Sequence, residues 1–260
     1  MNQTLATPVD VRLMNFTANA LAWVFVALLL AALVVWVARH PALAIGSIVV
    51  TGDVTHNNAV TLRANVAPRL SGNFLSLDME QARRAFEAVP WVRRALVRRE
   101  FPDRLQVVLQ EHRAVALWGP EGESRLLNSF GEVFEANPGE VDDDALPRLL
   151  GADAQAAQVL TMYQSLQPVF EPMDLALEQL ELTGRGGWRA RLDTGASLEL
   201  GRGSPAEVLE RTQRFLKTIT QVSSRYGRRP DALETADLRY QDAYAIRLRG
   251  VTTLAERVNK

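Results

Sequence analysis

The spacing of apolar and polar residues changes three times along this chain, and each change predicts a different kind of structure. The first regime is an uncharged run of eighteen residues, Leu21 to Ala38, reading LAWVFVALLLAALVVWVA. As a helix it is roughly 27 Å long, close to the hydrocarbon thickness of a bilayer. Trp23 and Trp36 lie near its ends, where indole rings favour the membrane interface. A helix buried in a soluble core would normally carry a polar stripe, and this run has none. The pattern predicts one transmembrane helix over 21–38, a tail over 1–20 on one side, and the bulk of the chain on the other. The tail contributes only Asp10 and Arg12, while Arg39 and His40 follow the run, so loop charge orients the helix weakly. Ala42-Leu43-Ala44 has the small-x-small form of a cleavage site, but the apolar run is too long and the leader is not basic. The expectation is an uncleaved signal anchor with the C-terminal part exported.

The second regime, over about 43–112, alternates short strands with short amphipathic helices. Ile45 to Val50 reads as a strand, and Thr51-Gly52-Asp53 as a turn. A helix from about Asn58 to Val66 ends before Pro68. Asp78 and Gln81 have capping-box spacing, and Ala82, Ala85, Phe86 and Val89 share one face of the helix that follows. Pro90 stops that helix. Val92 to Arg99 then alternates as a strand, and Phe101-Pro102-Asp103 turns the chain into Leu105 to Leu109. The predicted order is β-α-α-β-β.

The third regime begins near His112 to Gly119 and runs over about 113–250, leaving 251–260 as a tail. Strands at Arg125 to Leu127 and Val133 to Ala136 flank the turn Asn128-Ser129-Phe130-Gly131. Asp153 is placed to cap a helix with Ala156, Val159, Leu160, Tyr163 and Leu166 on one face, closed by Pro168. Leu175 to Leu182, Trp188 to Leu192 and Ser197 to Leu200 read as a meander. Ser204-Pro205-Ala206-Glu207 predicts a helix start, Val208, Thr212, Phe215, Leu216, Ile219 and Val222 form its apolar face, and Gly227 stops it. Leu233 to Tyr240 and Tyr244 to Arg249 close the fold as strands.

Composition narrows the function more than it shapes the fold. The 260 residues are 47% hydrophobic and 23% charged with a formal net charge of -1, which suits a folded exported part and points to no nucleic acid partner. Cysteine is absent, excluding disulfides and thiolate chemistry. The three histidines are His40 at the membrane border, His56 in a loop and His112 at a strand end, without metal spacing. Only His112 has an adjacent carboxylate, Glu111, and neighbours on a strand point to opposite faces. No nucleophile-elbow pattern is present. Asp142-Asp143-Asp144 reads as a solvated surface rather than a cation site, and Gly184-Arg185-Gly186-Gly187 and Gly201-Arg202-Gly203-Ser204 as turns rather than phosphate loops. No enzyme, cofactor or metal is expected.

Particular residues carry a family resemblance. Ile45, Ile48, Val50 and Gly52, the run Asn73-Phe74-Leu75-Ser76-Leu77-Asp78, Pro90-Trp91-Val92, and Phe101-Pro102-Asp103-Arg104-Leu105 with Val107 and Glu111 resemble a POTRA domain, a small exported interaction module. Asn128 to Phe134, Leu146-Pro147-Arg148-Leu149, Glu181-Leu182 with Trp188, and Asp237-Leu238-Arg239-Tyr240 follow in the order seen in the FtsQ/DivIB family of bacterial cell-division proteins. The chain departs from that pattern at Asn128, where aspartate is commoner, and at Gln241-Asp242-Ala243-Tyr244, which replaces a more glycine-containing stretch.

The resemblance implies an α+β chain: a single N-terminal transmembrane helix, a small β-α-α-β-β POTRA-like domain, and a second strand-rich domain with an extended, mostly antiparallel sheet. It implies a non-enzymatic, single-pass type II protein of the cell inner membrane, its N-terminus cytoplasmic, its C-terminus periplasmic, concentrated at the septum. Such a protein contacts inner-membrane lipid and links early cytoplasmic to late divisome proteins. It also implies capture of the bitopic coiled-coil proteins FtsB and FtsL by strand addition at the C-terminal sheet edge, with Arg239, Tyr240, Asp242, Ala243, Tyr244 and Leu248 as contacts. The rival readings are an anchored periplasmic scaffold of a secretion or envelope-assembly system, and an outer-membrane assembly factor. The latter would need a series of barrel strands that this chain does not show.

Overall fold

The computed structural model describes residues 9–38, 44–123, 125–141, 146–240 and 243–251. Arg39, His40, most of the candidate cleavage site, Asp142 to Asp144, Asp242 and the tail from residue 252 lie outside the described residues. The chain divides into two compact units, Met1–Glu111 and His112–Lys260.

Helix α1 (Val9–Ala38) starts well before the uncharged run and contains a 24-residue segment, Leu13–Trp36, long and apolar enough to cross a membrane. None of that segment's apolar window is buried against protein. In water such a surface would be unfavourable along its whole length, and a bilayer is the solvent that suits it.

The remainder of the first unit is β1 (Ser47–Gly52), α2 (Ala59–Val66), α3 (Met79–Glu87), β2 (Val92–Glu100) and β3 (Arg104–Glu111), the predicted order. Asn58 caps α2 by accepting from the Thr61 amide at 2.8 Å. Asp78 caps α3 by accepting from the Glu80 and Gln81 amides. The sheet runs β1-β3-β2, with β1 parallel and β2 antiparallel to the central β3. Leu105, Val107 and Leu109 of β3 point to one face, where Leu62 and Val66 of α2 and Phe86 of α3 pack with Val107 and Leu109, and Leu77 and Ala82 pack with Leu105. The alternate residues of β3 are more exposed, as period-two geometry demands.

A buried polar knot closes one end of this unit. The Glu111 carboxylate, only 9% exposed as a residue, accepts from the amides of Thr55, His56 and Asn57, each at 3.0 Å, and from Asn57 Nδ2 at 3.0 Å. His56 Nδ1 adds a contact at 3.2 Å, and the His56 ring stacks on Trp91 with centroids 3.9 Å apart. This corrects the sequence reading, which gave only His112 a carboxylate neighbour. Trp91 holds φ at +70°, a left-handed backbone that a bulky residue adopts at a cost of about 1–2 kcal/mol. The stacked histidine and the Asn57 Nδ2 bond to the Pro90 carbonyl, at 3.1 Å, hold the Pro90-Trp91 step in place. Burial raises the Glu111 pKa, but the hydrogen bonds from His56 and Asn57 outweigh it and hold the group below its ordinary value.

The second unit is one nine-stranded mixed sheet among the described residues. Its strands are β4 (Ala114–Trp118), β5 (Arg125–Asn128), β6 (Val133–Glu135), β7 (Arg148–Leu150), β8 (Leu177–Leu182), β9 (Trp188–Leu192), β10 (Ser197–Gly201), β11 (Leu233–Asp237) and β12 (Ala245–Leu248), interrupted by α4 (Ala156–Phe170) and α5 (Pro205–Arg225). The spatial order is β12-β11-β10-β9-β8-β7-β4-β5-β6. Most neighbours are antiparallel, while β10/β11, β7/β8 and β4/β7 are parallel. The two helices pack against the sheet and bury Val159, Leu166 and Phe170 from α4 and Val208, Phe215 and Ile219 from α5 into one core with Trp118 and Trp188.

Three local expectations change here. Asp153 does not cap α4, whose N-cap is Gln155 without a side-chain bond. It accepts instead from Trp118 Nε1 at 2.8 Å and pairs with Arg125 at 2.9 Å, because both donors reach it across the sheet. Pro168 lies inside α4, which continues to Phe170, since the core contacts of Leu166 and Phe170 keep the last turn wound. Strand β11 ends at Asp237, short of the expected Tyr240, although the Leu238 amide still donates to the Glu199 carbonyl of β10 at 2.8 Å. Strands β4 and β7 carry too little alternation to be read from sequence. The start of α5 is as read: Ser204 and Glu207 form a complete capping box.

Candidate functional site

The candidate interaction residues lie around β12, at one end of the nine-stranded sheet. Strand β12 pairs antiparallel with β11 through Asp237↔Ala245, Ala236↔Ile246, Thr235↔Arg247 and Leu233↔Leu248. Its other side faces no strand among the described residues, so backbone N–H and C=O groups are available there.

The candidate residues take different stations. Leu248 is 5% exposed and belongs to the core, so it offers a partner its backbone while its side chain secures the strand. Leu248→Ala is therefore expected to cost about 2–4 kcal/mol of stability, seen as an earlier denaturation midpoint of the exported fragment. Tyr244 is half-buried: its hydroxyl bonds Thr218 Oγ1 at 2.8 Å, and its ring meets Phe215 edge-on at 5.1 Å, pinning the approach to β12 onto α5. Ala243 is exposed and precedes the strand. Tyr240 is 59% exposed despite its large apolar ring. Asp242 lies outside the described residues.

Arg239 is held by Asp237, whose Oδ1 accepts from Arg239 Nε at 2.8 Å. This bidentate pair lowers the Asp237 pKa and raises that of Arg239. It also aims the exposed guanidinium, a geometric constraint absent from the sequence.

Tyr240, Ala243 and Tyr244 line a groove of about 380 Å³ with Leu238 and, from α5, Arg211, Arg214, Phe215 and Thr218. Sequence reasoning missed the α5 contribution, because residues 20 or more positions apart meet only once α5 packs against the segment carrying Tyr244. Arg211 is itself fixed by the carbonyls of Leu200 and Arg202. The groove thus combines apolar floor, aromatic wall and two arginines where the chain leads into β12. This composition suits an acidic, amphipathic peptide that can also extend the sheet.

The other polar clusters build turns. His112 stacks on Phe134 with centroids 4.1 Å apart and contacts Asn128 Nδ2 through Nδ1 at 2.8 Å. Asn128 also accepts from the Phe130 and Glu132 amides, which shapes the Asn128 to Gly131 turn. The glycine-rich segment from Gly184 to Gly187 is closed by Thr183. The N-terminus of α5 is occupied by its own capping box. Among the described residues, no group of three or more potential metal ligands converges.

Comparison with known proteins gives the architecture its family. Residues 43–112 match the family described as POTRA domain, FtsQ-type, and residues 116–239 match Cell division protein FtsQ/DivIB, C-terminal. The chain is 38% identical over 248 residues to the cell division protein FtsQ of Burkholderia pseudomallei, covering 95% of this chain and 96% of that one. It is 36% identical to the FtsQ of Thiomonas arsenitoxydans, covering 94% of this chain and 89% of the relative. The FtsQ of Bordetella pertussis is also 36% identical, with 92% of each chain covered. With an apolar N-terminal helix, a POTRA unit and a strand-rich second unit all in place, this chain belongs to the FtsQ/DivIB family of cell-division proteins.

Proposed function

We propose that this chain is a non-enzymatic hub of the division machinery that captures FtsB and FtsL at the free edge of β12. Helix α1 spans the inner membrane with the tail over 1–20 in the cytoplasm and both folded units in the periplasm, at the septum. The short tail addresses early cytoplasmic division proteins, and the exported units address the late, septum-building ones. The observation that carries capture is a strand edge unpaired among the described residues, together with the exposed Tyr240 and a groove bearing Arg211 and Arg214. A partner strand laid beside β12 gains backbone bonds, and acidic side chains on it meet the arginines.

The test is capture by the exported fragment, residues 39–260, from detergent-solubilised membranes. Recovery of the two small bitopic coiled-coil proteins supports the proposal. Recovery of a lipoprotein or barrel component in their place would assign the chain to envelope assembly.

A further inference from the structure

We propose that the Phe101 hairpin and the Leu75 loop form an apolar foot that rests in the interface of the membrane crossed by α1. The proposal rests on the reading of α1 as membrane-spanning.

Strand direction supplies the first argument. β1 and β3 both begin, and β2 ends, at the same edge of the first unit, where Ser47 faces Arg104 and Glu100 faces Arg104. The hairpin Phe101-Pro102-Asp103 closes that edge, and the Gly46 amide donates to the Asp103 carbonyl at 2.9 Å. Gly46 follows the last residue of α1, Ala38, by eight residues, which reach at most about 28 Å when fully extended. The exit toward the second unit, at Glu111, lies at the opposite end of β3. The hairpin is therefore the part of the sheet tethered nearest the membrane helix.

Side-chain chemistry supplies the second. Phe101 is 77% exposed and Leu75 54% exposed, large apolar groups offered to solvent at a turn and a loop where polar residues are the norm. Both are rigidly presented. Phe101 packs edge-on against the buried Phe74 with centroids 5.1 Å apart. The Leu75 loop is tied by Asn73 Oδ1, which accepts from the Leu75 and Ser76 amides at 3.0 and 2.8 Å. Arg99 clamps it from β2, donating to the Phe74, Leu75 and Leu77 carbonyls. The foot thus loses little conformational freedom on inserting. Arg98, Arg99 and Arg104 flank the hairpin in sequence, with Glu100, Asp103 and Asp78 among them, so cations are present there for anionic headgroups. A lipid interface accounts for apolar tips at the end of the sheet that is tethered to α1.

The chain has no cysteine, so a single introduced one reports its own site. Full-length Leu75→Cys carrying an environment-sensitive fluorophore is reconstituted in nanodiscs of phosphatidylcholine and phosphatidylglycerol with brominated acyl chains. Leu29→Cys in α1 serves as the spanning control and Val54→Cys, past the far end of β1, as the distant one. The expected result is strong lipid quenching at 75 and 29, none at 54, and clear relief at 75 when Phe101→Ser is added. Quenching at 29 with none at 75 overturns the foot while leaving α1 spanning, and absence at both overturns the spanning reading with it. A label at 75 shielded from water without lipid quenching would assign the patch to a protein and overturn the proposal as well.

Discussion

Glu111→Gln is expected to release the segment from Thr55 to Asn57 and to destabilise the first unit by about 2–4 kcal/mol, because charge-assisted bonds are lost and an amide donor is turned toward donors. The native carboxylate satisfies three consecutive backbone amides and the Asn57 side chain at once. Glutamine can accept with one oxygen only. Loss of the knot also removes support from the left-handed Trp91, since His56 stacks on it. Faster hydrogen exchange at the Thr55, His56 and Asn57 amides, with a lower melting temperature, is the readout; unchanged exchange would mean that the knot contributes nothing.

The pH dependence follows from the same group. The Glu111 pKa is depressed in the folded state, so its contribution is complete above the unfolded carboxylate value of about 4.3 and is withdrawn as pH falls through the lower folded value. Acid titration of the native protein should show this loss below about pH 4, and Glu111→Gln should flatten it. Other carboxylates supply the remaining acid sensitivity.

The second large effect concerns Tyr240. Its ring is mostly exposed at the wall of the α5 groove, so Tyr240→Ala should weaken capture of the coiled-coil partners by about 2 kcal/mol, more than tenfold, with little change in melting temperature. Tyr244→Ala should behave differently, lowering stability as well, because its hydroxyl and ring hold the segment to Thr218 and Phe215. Arg239→Ala is a cleaner test of charge than Arg239→Glu, which would set a second carboxylate against Asp237 and disturb β11 itself. Isothermal titration with the periplasmic part of the partner, alongside thermal melts, separates the two kinds of effect.

Local signals made much of the fold legible. Uncharged length marked α1, Pro68 marked the end of α2, and capping chemistry marked α3 and α5, because these depend on residues within a few positions of one another. What escaped depends on distance along the chain. The His56–Glu111 contact joins residues 55 positions apart, and Asp153 serves Trp118 and Arg125 from 35 and 28 positions away. Strands β4 and β7 owe their pairing to a parallel neighbour, Leu117↔Arg148 and Trp118↔Leu149, which no local pattern announces. At the candidate site the motif around Tyr240 was visible, but its surroundings were not. Sequence could not distinguish an exposed Tyr240 from a packed Tyr244, nor bring Arg211 and Arg214 beside them.

Hydrogen–deuterium exchange of the exported fragment, with and without the coiled-coil partner, tests the central claim most directly. Strand addition predicts strong new protection of amides across Ala245–Leu248 and around Tyr240, with little change at β6, the opposite end of the same sheet. Binding that leaves the β12 amides as exposed as before, with protection confined to β6 or to the first unit, would contradict it.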